Sequence, residues 1–411
     1  MKVCAGSRKA VLRVAGRSLF IVGTFASVPA LAQNSVVIYG IVDSGLSYQS
    51  SQTALGSTGN GHAAVKTTSG EWAGSRLGFN GSEDLGGGTR AIFTLENGFN
   101  VNSGAMSLGG LFARQAFVGL ANDRYGTVTL GRQYTPYYLL ALPYSPTKWN
   151  TGGFGAHPGD IDGLDSTYRV NNALVYTSPS YRGLKVSGMY ALAGLPGTIG
   201  RGSTWSAALQ YIQGAAGLAV GVMRVNNSTL GGGAWGTDST TNSAGLPGIS
   251  AVNNGYQLAA AQQRVAVAGG YELTSKLGMS FSYANVQYIP GTNSKFSDTA
   301  IFNVMGANVH YAVTPAITVA VGYSYTAATR ANRISDAARY NQVSLAQSYS
   351  FSKRTMVYAL EGYTRAVGNT LGSPGTSSIV PAAATVADGF NAAPSATSHQ
   401  FAAAIGLLTR F

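Results

Sequence analysis

The sequence predicts an all-β fold: a transmembrane antiparallel β-barrel of sixteen strands. Three observations lead there: seven short turn signals recur along the chain, alternating stretches flank each of them, and charged residues make up only 10% of the whole. The signals run Glu83 to Gly88, Asn122 to Gly126, Ser178 to Gly183, Gln213 to Gly217, Thr274 to Gly278, Thr314 to Ala316 and Ser352 to Arg354. Consecutive signals leave room for a strand, a longer polar loop and a returning strand. Seven tight turns on one rim, with the two chain ends, make about eight hairpins and so about sixteen strands. Such a structure encloses a hole.

Composition supports a membrane setting for that sheet. Charged residues are scarce against the roughly 25% of an average soluble domain, and glycine, 55 of 411 residues, is about twice its usual share. Beyond residue 32 no run of eighteen apolar residues occurs, which excludes helical spanning segments. Backbone groups in lipid must then pair between strands of a closed barrel.

Residues 1–32 read as a secretory signal peptide, and 33–411 as the barrel. Lys2, Arg8, Lys9, Arg13 and Arg17 form a basic start, Leu19 to Leu31 is mostly apolar, and Ala30-Leu31-Ala32 is a small-residue cleavage pattern. Removing this segment lowers the formal charge of +12 to about +7 and takes away Cys4, the only cysteine. The mature chain can therefore form neither a disulfide nor a thiolate site.

Side chains two apart share a face of a strand. Ile317, Val319, Val321, Tyr323 and Tyr325 stand opposite Thr318, Ala320, Gly322 and Ser324. Ala91, Phe93 and Leu95 oppose Arg90, Ile92, Thr94 and Glu96, while Met279, Phe281 and Tyr283 oppose Ser280, Ser282 and Ala284. In Thr355 to Tyr363 the expected outer set is Met356, Tyr358 and Leu360, against Thr355, Val357, Ala359 and Glu361. The second face is polar, as a watery lumen requires. Val36 to Asp43 and Ile301 to Gly306 are apolar on both faces, and their orientation stays open. The last strand places Phe401, Ala403, Ile405, Leu407, Thr409 and Phe411 on one face, so the chain stops on an aromatic within a strand. Phe411 reads as an assembly signal, resembling the one recognised by the barrel insertion machinery.

Several segments together resemble the Gram-negative general porins, in particular those of beta-proteobacteria. They are Val37-Ile38-Tyr39-Gly40-Ile41-Val42-Asp43, Ser75 to Gly86, Ala113-Arg114-Gln115-Ala116-Phe117-Val118-Gly119-Leu120, Tyr125 to Gln133 and Tyr168 to Tyr176, with the terminal Phe411. The resemblance implies a homotrimer of sixteen-stranded barrels in the outer membrane, each narrowed by an inward-folded third extracellular loop. It also implies passive diffusion of ions and small hydrophilic solutes, with outer-membrane lipid and the barrel assembly machinery as partners. Spacing supports the loop: Tyr134 to Thr167 is long and carries Pro136, Tyr137, Tyr138, Leu139, Leu140, Pro143, Trp149 and Phe154, too apolar for a solvated tail. It should pack on the inner wall.

Arg76, Arg114 and Arg169 fall where the family carries its wall arginines. Arg76 shares parity with Asn80 and opposes Leu77 and Phe79; Arg169 shares parity with Asn171 and opposes Val170, Leu174 and Tyr176. For Arg114 the resemblance carries the assignment. Across from them the loop offers Lys148, Asp160, Asp162 and Asp165. An acidic group facing an arginine row sets up a transverse field over a narrow watery gap, and the net charge leans the preference weakly toward anions. The resemblance also places Arg132 where a neighbouring subunit's second loop would supply an acid, yet no acidic residue lies between Asn97 and Leu108.

No enzymatic constellation appears, and neither a cofactor, a metal site nor nucleic acid is expected. His62, His157, His310 and His399 lack ligand spacing, and Gly86-Gly87-Gly88 lacks the elements that complete a phosphate loop. Two other readings are a solute-specific channel and a surface adhesion or binding barrel. The stretches Asn227 to Gly255 and Leu371 to His399, rich in Gly, Ser, Ala and Asn, suit variable surface loops.

Overall fold

The computed structural model describes residues 34–145, 147–150, 152–165, 169–236, 240, 249–386, 388 and 393–411. The signal-peptide segment and Tyr168 lie outside them. Sixteen barrel strands follow one another with antiparallel pairing throughout. The first eight are β1 (Ser35–Gln52), β2 in two segments (His62–Ser69 and Arg76–Gly86), β3 (Thr89–Gly98), β4 (Gln115–Asn122), β5 (Gly126–Gln133), β6 (Val170–Thr177), β7 (Leu184–Ala191) and β8 (Thr204–Gln213). The second half comprises β9 (Ala216–Asn226), β10 (Ala261–Glu272), β11 (Leu277–Ile289), β12 (Ala300–Ala312), β13 (Ile317–Ala328), β14 (Arg339–Ser350), β15 (Thr355–Val367) and β16 (His399–Arg410). Closure occurs at β1, which pairs with both segments of β2 on one side and with β16 on the other. No edge is left open.

All seven tight turns fall where the sequence signals stand. Gly86, Gly87 and Gly88 each adopt positive φ, from 60° to 81°, in the turn that joins β2 to β3, which is why three glycines occur there. Outward faces follow the alternation: Val321 and Tyr323 are exposed while Gly322 and Ser324 are buried, and Phe401, Ile405, Leu407 and Phe411 all face out.

Strand β15 reverses its expected faces. Met356, Tyr358 and Leu360 point inward and join buried Phe154 and Val386, whereas Val357 faces out. Glu361 shares that outer face and accepts a 3.0 Å hydrogen bond from Gln347. The inner surface is apolar here because loops fill it. The same cause resolves β12, where Phe302 and Val304 are fully buried inside and Met305 faces out.

The two long Gly/Ser-rich stretches are surface loops only in part: Thr229, Leu230 and Pro374 to Ile379 are exposed, but other segments turn inward. Val252 and Tyr256 of the fifth extracellular loop, and Leu371, Ala382 and Ala384 of the eighth, belong to one buried cluster with loop-three residues Tyr137, Ile161 and Leu164. Their polar groups are satisfied inside: Asn253 donates to the Tyr288 hydroxyl at 2.8 Å and Asn254 to the Gly372 carbonyl at 2.7 Å. Much of the lumen is therefore packed, and loop three lies against the inner wall as its apolar content requires.

Candidate functional site: the cavity beside the arginine wall

Two local irregularities shape the wall. Between its segments, β2 leaves the ladder at residues 70–75. Asp43 organises this break: its Oδ2 accepts the backbone N–H groups of Trp72 and Ala73, each at 2.8 Å, and its Oδ1 accepts the Tyr358 hydroxyl at 2.6 Å. The Glu71 carbonyl in turn accepts the N–H of Gly153 at 3.1 Å, tying the break to loop three. In β6, two residues, Asn171 and Asn172, oppose Arg132 alone, a bulge marked by φ of 53° at Asn172. Asn171 accepts from Arg132 at 2.5 Å, and Val170 is buried among loop-three residues. The bulge thus breaks the parity argument by which Asn171 faces inward and Val170 outward.

Loop three crosses the lumen in short helices, Pro136–Ala141, Thr147–Asn150 and Gly152–Gly155, the first capped by the Thr135 hydroxyl on the Tyr138 N–H. Between this loop and β2 to β6 remains a cavity of about 530 Å³. Arg76, Arg114 and Arg169 line it on the wall, with Lys148 and Asp165 from loop three and Asp388 from loop eight. Asp160 and Asp162 do not line it. Asp162 Oδ2 lies 2.5 Å from His157 Nδ1 in a buried pair, and Asp160 accepts the Asp165 N–H at 2.9 Å, so both hold the loop's own shape.

Two of the three arginines are held by a shared acceptor. Tyr134, at the start of loop three, receives Arg114 at 2.9 Å and Arg169 at 2.5 Å on one hydroxyl, and the Arg169 guanidinium sits 4.5 Å over its ring. Glu96 on β3 binds Arg114 at 2.8 Å and accepts the Tyr39 hydroxyl at 2.9 Å. Arg76 Nε donates to the Gly74 carbonyl at 2.9 Å, in the β2 break. One wall carboxylate thus offsets part of a three-guanidinium charge, and the surplus is positive. Trp72 and Tyr138 complete an aromatic part of the lining.

On the opposite side Asp165 is hydrogen-bonded to Asp388, and burial together with the Asp388 charge holds the Asp165 carboxyl well above the usual carboxylate range. Sequence reasoning missed Glu96, Tyr134 and Asp388 as parts of this site. Glu96 was legible as an inward parity position; Asp388, in a stretch without periodicity, carried no signal.

A family model for Gram-negative porins matches residues 18–369. The chain belongs to the Gram-negative porin family. Among curated porins it is 34% identical to an outer membrane porin protein of Bordetella pertussis over 168 residues, 38% of this chain and 42% of that protein. Porin protein 32 of Delftia acidovorans is 34% identical over 173 residues, 40% of this chain and 46% of that one, so the chain spans about half the length of these relatives. A major outer membrane protein P.IB from Neisseria lactamica aligns over 366 residues at 25% identity, covering 86% of this chain and 96% of the relative. By fold, this porin is similar to the anion-selective porin from Comamonas acidovorans, with a TM-score of 0.62 and 19% identity over 92% of this chain and 100% of that one. A trimer form of OmpT from Vibrio cholerae gives 0.60 at 18% identity, covering 92% and 99%.

Proposed function

We propose that this porin is an outer-membrane pore for passive diffusion of ions and small hydrophilic solutes, leaning weakly toward anions. The observation that carries the reading is the single cavity in which Arg76, Arg114, Arg169 and Lys148 meet Asp165 and Asp388. Cations outnumber acids there, and fixed lumen charge raises the local concentration of counter-ions. The structurally similar Comamonas porin is anion-selective, which supports the same lean here. The chain acts as a channel and not as an enzyme. A solute-specific variant of this reading draws support from Trp72, Tyr134 and Tyr138 beside the arginines, an aromatic surface that would slow planar anions.

Neutral replacement of Arg76, Arg114 and Arg169 together should move the zero-current potential in a salt gradient toward cations. The shift should shrink in concentrated salt, where screening lengths fall to about 3 Å at 1 M. A triple variant with the parent's potential in dilute salt would place the arginines off the ion path. Absence of any conductance in the parent would favour the adhesion reading.

The mature chain begins at Gln33 and assembles as a homotrimer. Support for assembly comes from the trimeric Vibrio neighbour and from Glu361, an outward carboxyl whose neighbour on the wall is the uncharged Gln347. Charge facing lipid is costly, so protein is the better cover for that face. N-terminal sequencing that returned Met1 would rule out the cleavage, and light scattering of a stable monomer would rule out the trimer.

A further inference from the structure

Loop eight contributes a charge that its position in the sequence does not announce. Its inward leg ends at Val386, which is fully buried beside Phe154 and donates its N–H to Gln400 Oε1 at 2.7 Å. The outward leg is held by the same side chain, because Gln400 Nε2 donates to the Ala393 carbonyl at 2.8 Å and to the Ser51 carbonyl at 2.6 Å. One amide on β16 therefore pins both sides of Asp388, and the loop delivers that residue to the cavity lined by the three arginines. There its carboxyl is hydrogen-bonded to that of Asp165.

Two carboxylates in hydrogen-bonding contact cannot both ionise at ordinary pH; one keeps a proton and donates it to the other. We propose that Asp388 is a selectivity-determining residue of this pore, sharing one proton with Asp165 so that the pair opposes the arginine wall with a single negative charge. The inference rests on the reading of the cavity as the ion path. The surroundings favour the shared proton. Asp160 and Asp162 stand close on loop three, with Asp162 engaged by His157. Buried Glu71 approaches Asp388 from the β2 break, itself beside Lys66 and Asp43. Lys148 and Arg169 line the same cavity and favour the one charge that remains.

The test is the reversal potential of the full-length mature porin in planar bilayers under a KCl gradient, at neutral and alkaline pH. It compares the parent with Asp165→Asn, Asp388→Asn and the double variant. At neutral pH each single variant should match the parent, because the carboxyl left behind ionises and restores the lost charge. The double variant should shift toward anions. At alkaline pH the parent should move toward cations as the second proton leaves, and the single variants should not follow. Single variants that each shift by about half the double would show two independent charges and overturn the shared proton. A double variant with the parent's potential, in a pore where the arginine triple variant does shift, would remove Asp388 from the ion path while leaving the proposed function intact. If the arginine variant also fails to shift, both readings fall.

Discussion

At Gly306 an added β-carbon would stand 2.2 Å from His157 Nε2, and at Gly322 it would stand 2.1 Å from the side-chain amide of Asn150. Loop three thus seats two of its side chains where the wall has none. Neither glycine differs in sequence from an ordinary small inward residue, so the seats were illegible until the loop was placed. Gly306→Val should unseat the loop at a cost of about 1–3 kcal/mol, the range for overpacking, and appear as added open-channel noise. His157 adds a pH term. Burial lowers its affinity for a proton, but Asp162 beside it and their hydrogen bond outweigh this and raise its pKa. A raised value means that the stabilisation is complete below the ordinary histidine range near 6.5 and is lost as pH rises through the folded-state value. Protease cleavage within loop three should therefore increase at alkaline pH. Asp162→Asn removes the acid that keeps the His157 proton, so cleavage within loop three should already be faster at neutral pH.

Among the elements, strand order and turns were readable because period-two alternation and turn chemistry are local properties. Faces were readable only where the lumen side carries small or polar residues. On β13 the contrast between Val321 and Ser324 is unambiguous, but on β15 the apolar Met356 and Leu360 serve an interior packed by loops, and Glu361 sits outside. An apolar face has two possible destinations in a barrel filled by its own loops, lipid or plug, and pattern alone does not separate them. The same logic hid loop eight, whose Gly/Ser/Ala composition resembles solvated chain although Ala384 and Val386 are fully buried. Its retention depends on Gln400, which is fully buried and bonded to both legs. Gln400→Leu removes those bonds while keeping an apolar side chain of similar size. Loop eight should then loosen and single-channel conductance rise, with the strands unchanged by circular dichroism. Unchanged conductance would mean that loop eight is held by its other contacts.

For the molecule as a whole, the closing seam is where sequence and structure give different weight to one residue. Read from sequence, Phe411 is an assembly signal that adds one side chain to the barrel. In the structure it also closes the ring: its N–H and carbonyl exchange hydrogen bonds with Gly40 at 3.2 and 3.1 Å. Its ring lies over Gly40, where a β-carbon would come within 2.2 Å of it. The last pairing of β16 with β1 thus depends on an aromatic at one end and the absence of a side chain at the other. Deleting Phe411 should lower outer-membrane yield in cells, and it should also lower the temperature at which the purified barrel unfolds in detergent. Gly40→Val separates the two effects, because it keeps Phe411 in the chain while displacing its ring from the seam. It should reproduce the loss of thermal stability, read by heat-shifted migration in SDS, with a smaller loss of yield. A Gly40→Val barrel as stable as the parent would confine the role of Phe411 to assembly.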